Sequence, residues 1–249
     1  MCVTSGDRGP AAIVVEDATK EIDGVTVLDG VSFTALPGRV TAFIGPNGAG
    51  KTTTLRALLG IDHLSSGRAT IGGLPLRAHR RPAQVAGALL SADGAHPRRT
   101  ARGHLAVVAA SNGLPRASVD AALELTGIAG IADLPVGQMS LGMRQRLGLA
   151  TALIGDPAAL ILDEPHNGLD AGAIRWLRVL LRGLADGNRT VLVSTHLMSE
   201  IETFCDDVVV IDGGRIVMAG PLGHFFGGTS GEESGRSLEE HYLDMVDGG

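Results

Sequence analysis

From Val40 to Leu59 the chain reads VTAFIGPNGAGKTTTLRALL, and this stretch limits the possible folds more than any other. The apolar run Val40 to Ile44 reads as a strand and Thr54 to Leu59 as a helix. Between them stand Gly45, Pro46, Asn47, Gly48, Ala49, Gly50, Lys51, Thr52 and Thr53, which fit the pattern G-x-x-x-x-G-K-[ST]. Glycines that tolerate φ > 0 let successive backbone N–H groups face one concavity suited to anionic oxygens, and the dipole of the following helix adds to that positive field. Lys51 is then placed to reach the β/γ-phosphates of a nucleotide, and the Thr52 hydroxyl to take a place on Mg²⁺.

Arginine usage sharpens this reading. Of 21 basic residues only Lys20 and Lys51 are lysine. A chain that otherwise chooses arginine has put a compact point charge at the glycine loop, where a planar guanidinium fits poorly. The net charge of −6 and the 3% aromatic content argue against a nucleic-acid partner, because neither a basic footprint nor stacking platforms are present. Cys2 and Cys205 lack metal or redox spacing. Met1 to Pro10 does not read as a secretory signal, and the longest apolar candidate for a span, Leu147 to Leu162, is interrupted at Gly155, Asp156 and Pro157. Any membrane role is therefore expected to run through a partner.

The remaining pattern alternates strands with helices. Strands are expected at Ala12–Val15, Val25–Ala35, Gly67–Ile71 and Val85–Leu90, with a turn at Asp23-Gly24. From Thr100 the period becomes helical. Thr100 caps one helix carrying Leu105, Val108 and Ala109, Pro115 opens a second with Val119, Ala122, Leu123 and Leu125 on one stripe, and Ser140 caps a third running to about Ile154. Ala159–Leu162, Val191–Ser194, Val208–Ile211 and Arg215–Ala219 then read as strands, alternating with helices at Ala171–Ala185 and Met198–Phe204. Such alternation predicts a mostly parallel sheet with its ligand at the carboxyl ends of the strands. Gly227–Arg236 reads as a linker and Leu238–Val246 as a terminal helix.

Chemistry requires more than a phosphate cradle. Asp163 and Glu164 follow an apolar strand: a carboxylate at such a strand end can hold Mg²⁺, which suits Asp163, while Glu164 points elsewhere and can act as general base on an attacking water. His196 ends the next strand on the same side, within reach of a γ-phosphate or that water. The other seven histidines, His166 among them, show no ligand spacing and are assigned no chemistry.

Ser140-Leu141-Gly142-Met143-Arg144-Gln145-Arg146-Leu147 resembles the signature motif of ATP-binding cassette (ABC) ATPases, and Glu164 through Asp170 resembles their carboxylate segment followed by a D-loop, with Asp170 as the D-loop aspartate. The resemblance implies an α/β P-loop NTPase with a mostly parallel core sheet, an antiparallel β subdomain and a helical subdomain at about residues 92–155, within a cassette spanning 12–220 and followed by a C-terminal linker and short helix at 221–249. It implies a dimer of cassettes, identical or not, in which Ser140 and Gly142 of one chain close over the γ-phosphate held by the other. It further implies ATP and Mg²⁺ as ligands, and an integral membrane permease, separately encoded, as partner. The signature, the glycine loop and the segment from Ser194 more closely resemble those of bacterial drug, antibiotic and bacteriocin-immunity exporters, which implies a place at the cytoplasmic face of the cell membrane. The alternative is a soluble single cassette acting with a cytosolic scaffold, as in iron–sulfur assembly.

Some positions depart from the family pattern. Ser91 stands where a glutamine contacting Mg²⁺ is usual, and Ile22 where an aromatic stacks on adenine. Leu141 and Met143 replace small or polar signature residues.

Overall fold

The structure, a computed structural model, describes residues 11–196, 201 and 203–226. The amino-terminal strands β1 (Ile13–Ile22) and β2 (Val25–Ala35) form a hairpin across Asp23-Gly24, whose φ values of 50° and 80° are the left-handed pair that a tight two-residue turn requires. Next come β3 (Val40–Ile44), α1 (Lys51–Leu58) and β4 (Ser66–Ile71), the last pairing antiparallel with β1 to give a three-stranded sheet ordered β2-β1-β4. The first strand runs seven residues past Val15, because its alternation of buried Ile13, Val15 and Ala18 continues through irregular register into the hairpin.

A second sheet has six strands. It comprises β3, β5 (Ala86–Leu89), β6 (Ala159–Asp163), β7 (Thr190–Thr195), β8 (Asp207–Asp212) and β9 (Arg215–Pro221), in the order β5-β6-β7-β3-β8-β9. All ladders are parallel except β8 with β9. The central strands are buried on both faces, so they read as continuous apolar runs. Phe43, Ile161, Leu192 and Val209 face the three-stranded sheet and α1. Val40, Leu160, Leu162, Val191 and Val193 pack under α5 (Leu141–Leu153) and α6 (Ala171–Asp186) through Leu149, Leu153, Leu177, Leu181 and Leu184.

The helices between Thr100 and Ile154 enclose a separate core. There α3 (Ala101–Ser111) and α4 (Ala117–Leu125) pack Leu105, Val119 and Leu123 against Leu147 and Ala150 of α5. Thr100 caps α3 by accepting from Gly103 N at 3.0 Å. The α5 helix thus belongs to two cores, and its outer side meets β5 so closely that a Cβ on Gly87 would lie 1.8 Å from the Ala152 carbonyl oxygen.

Several expectations need correction. Val85 ends a one-turn helix, α2 (Pro82–Val85), and is not part of β5: Pro82 presets the helical φ of that turn. Pro115 precedes the N-cap Arg116 and so stands outside α4. Leu125 is 44% exposed and leaves the buried stripe; counting on from Ala122 and Leu123, the inward position falls on Thr126, whose Oγ1 bonds the Ala122 carbonyl at 2.8 Å. The helix at Met198–Phe204 falls largely outside the described residues; the Gly227–Arg236 linker and the Leu238–Val246 helix fall wholly outside them.

Replacing Gly87 by alanine forces β5 and α5 apart at a backbone-to-backbone contact. Gly87→Ala is expected to lower folding stability by about 1–3 kcal/mol. This is read as a lower denaturant midpoint at unchanged slope; a wild-type midpoint would refute the tight β5–α5 contact.

Candidate active site

Strand β3 delivers Gly45 into a loop that no bulkier backbone could form. A Cβ on Gly45 would sit 2.1 Å from the Ile211 carbonyl oxygen, and one on Gly50 would sit 2.7 Å from Leu28 Cδ2. Gly50 is the N-cap of α1 with φ 107°, a left-handed geometry. The loop is pinned from the β8–β9 turn as well: Gly214 N donates to Ala49 O at 3.1 Å, and Asp29 N of β2 donates to Gly214 O at 2.9 Å. Lys51 is buried at the start of α1, with Nζ donating to Gly45 O at 2.6 Å and Pro46 O at 3.1 Å. Burial lowers its pKa, opposed by the charges of Glu164 and Asp163.

The carboxylates come from β6, separated from β3 by β7, and meet the glycine loop at the carboxyl ends of these strands. Thr52 Oγ1 donates to Asp163 Oδ2 at 2.7 Å, joining residues 111 positions apart. Ser194 of β7 donates from Oγ to Asp163 Oδ1, and the same Oγ accepts from Glu164 N at 3.0 Å. At Glu164 the backbone turns left-handed, with φ 47°, a conformation uncommon for a non-glycine residue and often found at functional sites. The turn sends Asp163 toward Thr52 and Glu164 away from it.

Glu164 meets two imidazoles and an ammonium. Its Oε2 lies 2.9 Å from His196 Nδ1 and 3.2 Å from His166 Nε2, while its Oε1 lies 3.9 Å from Lys51 Nζ. Burial raises the carboxyl pKa, but hydrogen bonds and charge from His166 and His196 outweigh it and hold the group below the usual carboxylate value. Glu164 is therefore anionic at neutral pH, the state a proton acceptor needs. His166, only 8% exposed, is also within 3.3 Å of Thr195 Oγ1.

The other expected residues stand apart from this cluster. Ser140 caps α5, accepting from Met143 N at 3.3 Å; among the described residues neither it nor Gly142 bonds the 45–53 loop. Asp170 caps α6, accepting from Ala173 N at 2.8 Å. Ser91 is exposed beyond the end of β5 and its Oγ accepts from Asp93 N at 3.2 Å. Ile22 is 44% exposed at the hairpin tip. Within one chain, the start of α5 packs on the segment before Asp170: Gln145 Nε2 donates to Asn167 O at 3.2 Å, and a Cβ on Gly168 would lie 2.0 Å from Leu141 Cδ2.

Two residues of the cluster, Ser194 and His166, carried no assigned role in the sequence. Ser194 had a weak signal, a hydroxyl among apolar strand residues one position short of the strand end. His166, two residues after Glu164, had none, since only the turn at Glu164 brings its ring back onto that carboxylate.

A family model described as "ABC transporter" matches residues 28–167. "Nod factor export ATP-binding protein I" of Burkholderia pseudomallei (strain 1710b) is 41% identical over 215 residues, covering 84% of this chain and 71% of that protein. "Uncharacterized ABC transporter ATP-binding protein YhcH" of Bacillus subtilis (strain 168) is 38% identical over 206 residues, covering 82% and 68%. Among solved structures, "Structure of ATP binding subunit of ABC transporter" superposes with TM-score 0.83 at 28% identity, covering 94% of this chain and 99% of that one. The structure of cbiO1 from Clostridium perfringens, described as part of the ABC transporter complex cbiONQ, gives TM-score 0.75 at 28% identity and 94% coverage of each chain.

Two serines, Ser194 in the cluster and Ser91 apart from it, should separate cleanly. Ser194→Ala removes the hydroxyl that orients both carboxylates, so MgATP turnover is expected to fall by about tenfold or more, since small misplacements at a reacting centre carry large rate losses. Ser91→Ala touches only a local turn and is expected to keep substantial turnover. Steady-state phosphate release checks both; equal losses in the two variants would contradict this separation.

Proposed function

The chain belongs to the ABC transporter family, and we propose that it powers export of a drug, antibiotic or peptide through a separately encoded membrane permease. It is an ATP-binding subunit and an ATPase. Support for export comes from relatives named for Nod factor export at about 40% identity; the cargo class rests on motif resemblance.

The observation that carries the catalytic reading is the chain of hydrogen bonds Thr52–Asp163–Ser194–Glu164, which ties the phosphate cradle to both carboxylates. ATP lies with its phosphates over residues 45–53, where the loop N–H groups, the α1 dipole and Lys51 offset its charge. Lys51 leaves the Gly45 and Pro46 carbonyls to reach the nucleotide. Thr52 and Asp163 suit Mg²⁺, being a hydroxyl and a carboxylate oxygen at 2.7 Å, hard donors of the kind that ion prefers. When bound, the ion neutralises phosphate charge. Glu164, kept anionic, accepts a proton from the attacking water, and His196 orients that water or the γ-phosphate. Ile22 lies where adenine rests, an aliphatic platform on the exposed hairpin tip.

Two cassettes, of this chain or of this chain and a close relative, face each other head to tail. Ser140 and Gly142, at the N-terminus of α5, then reach the γ-phosphate bound by the partner, with hydroxyl, backbone N–H groups and helix dipole aimed at it. Asp170 stands at the same face, capping α6. The cassette spans residues 12–220, with its helical part at about 92–155. The permease docks near the helices after Thr100 and near Ala92–Arg99, a largely exposed segment anchored at its base by hydrogen bonds from Val136 N to Arg99 O at 2.8 Å and Gly137 N to Pro97 O at 2.9 Å. Attachment to the cytoplasmic face runs through that permease; among the described residues no helix is long and apolar enough to cross a membrane.

Glu164→Gln slows hydrolysis while leaving the nucleotide cradle intact. With MgATP this variant is expected to elute as a dimer in size-exclusion chromatography, and with MgADP as a monomer. Monomers under both conditions would sink the two-chain site.

A further inference from the structure

The hydrolytic scheme above gives His166 no contact with nucleotide or water, yet its buried ring is aimed at the carboxylate that scheme depends on. We propose that Glu164, His166 and His196 form a binding site for a transition-metal ion of the Zn²⁺ class, and that its occupancy withdraws Glu164 from water activation. The proposal rests on Glu164 being the water-activating base. It concerns a different ion and different donors from the Thr52–Asp163 pair.

One ligand atom from each of the three residues lies within 4.8 Å of the others, the one group of three or more His, Cys, Asp or Glu among the described residues to converge in this way. Zn²⁺ bound by imidazole nitrogen and carboxylate oxygen at about 2.0–2.1 Å in tetrahedral geometry requires donor atoms about 3.3 Å apart. The two edges from Glu164 Oε2, 2.9 Å to His196 Nδ1 and 3.2 Å to His166 Nε2, are already near that spacing. The remaining nitrogen-to-nitrogen edge closes by rotation of His196, whose side chain is 42% exposed, against the fixed ring of His166.

Donor chemistry separates this place from the neighbouring oxygen pair. Two imidazoles and one carboxylate suit zinc and its neighbours in the first transition row, whereas a hydroxyl with a carboxylate suits Mg²⁺. Thr195 Oγ1 stands 3.3 Å from the same His166 Nε2, a contact that nitrogen gives up when it takes the ion. Lys51 lies against Oε1, the oxygen the imidazoles leave unused, so an ion on Oε2 need not displace it. Three protein donors leave the fourth tetrahedral position for water. An ion on Oε2 draws charge from the whole carboxylate and makes both oxygens poorer proton acceptors, so zinc slows hydrolysis without blocking the phosphate cradle.

The test is calorimetric titration of the full nucleotide-free chain with ZnCl₂ at neutral pH. One ion per chain is expected, with affinity lost in the His166→Ala/His196→Ala double variant. His196→Ala alone, a change at an exposed side chain and hence tolerated by the fold, should weaken binding by more than the roughly 10–100-fold that losing an outer-shell partner costs. Equal zinc affinity in wild type and His196→Ala, or retained one-to-one binding in the double variant, would overturn the site by putting the ion on other donors. In parallel, the wild-type rate of MgATP hydrolysis should fall with a midpoint at the zinc dissociation constant measured in the same buffer; full activity at saturating zinc would overturn the inhibitory role. The binding arm needs no hydrolysis, so a chain that takes zinc but does not turn over ATP fails only the catalytic reading, and one that turns over ATP without binding zinc fails only this one.

Discussion

A single carboxylate, Asp163, holds the candidate active site in register. Its two oxygens accept from Thr52 on α1 and from Ser194 on β7, so three elements far apart in sequence converge on one group. Ser194 passes the constraint on, since its hydroxyl also accepts the Glu164 amide and thereby fixes where the next side chain can point. A buried polar group is tolerated only when its hydrogen bonds are made, and here satisfying them sets the geometry of the site. The parallel β6–β7 ladder that pairs Asp163 with Ser194 supplies the framework.

Backbone geometry at Glu164 then determines where two adjacent acids point. A left-handed residue following an extended strand reverses the direction of the side chain, so Asp163 faces the helix of the phosphate cradle while Glu164 faces His166, His196 and Lys51. The imidazoles stabilise the anion against the desolvation that would otherwise favour the neutral acid. The proposed base role and the proposed metal site both draw on this charged carboxylate and its two rings, and they meet at one oxygen, Oε2.

The two-core arrangement of the helices bears on how the site could communicate. Helix α5 packs Leu149 and Leu153 against the parallel sheet and Leu147 and Ala150 into the helical part, and its first turn touches the Asn167–Gly168 segment just before Asp170. Close packing thus joins the helical part to the residues following Glu164 through this one helix.

Short-range order was legible in the chain. The glycine loop, the Thr100 and Ser140 caps, the Asp23-Gly24 turn and the apolar central strands depend on chemistry within a few residues, so their sequence fixes their conformation. Asp163, Glu164 and His196 were legible because strand ends in an alternating α/β chain all emerge on one side of a parallel sheet. Pro82 and the spacing from Ala122 and Leu123 account locally for the helical Val85 and the inward Thr126. Tertiary structure decided that Ser194 and His166 join the site: Ser194 acts through a neighbouring strand, and His166 through a reversal of the backbone at Glu164. Periodicity carries no record of such meetings, because they are settled by the packing of elements that the sequence specifies only one at a time.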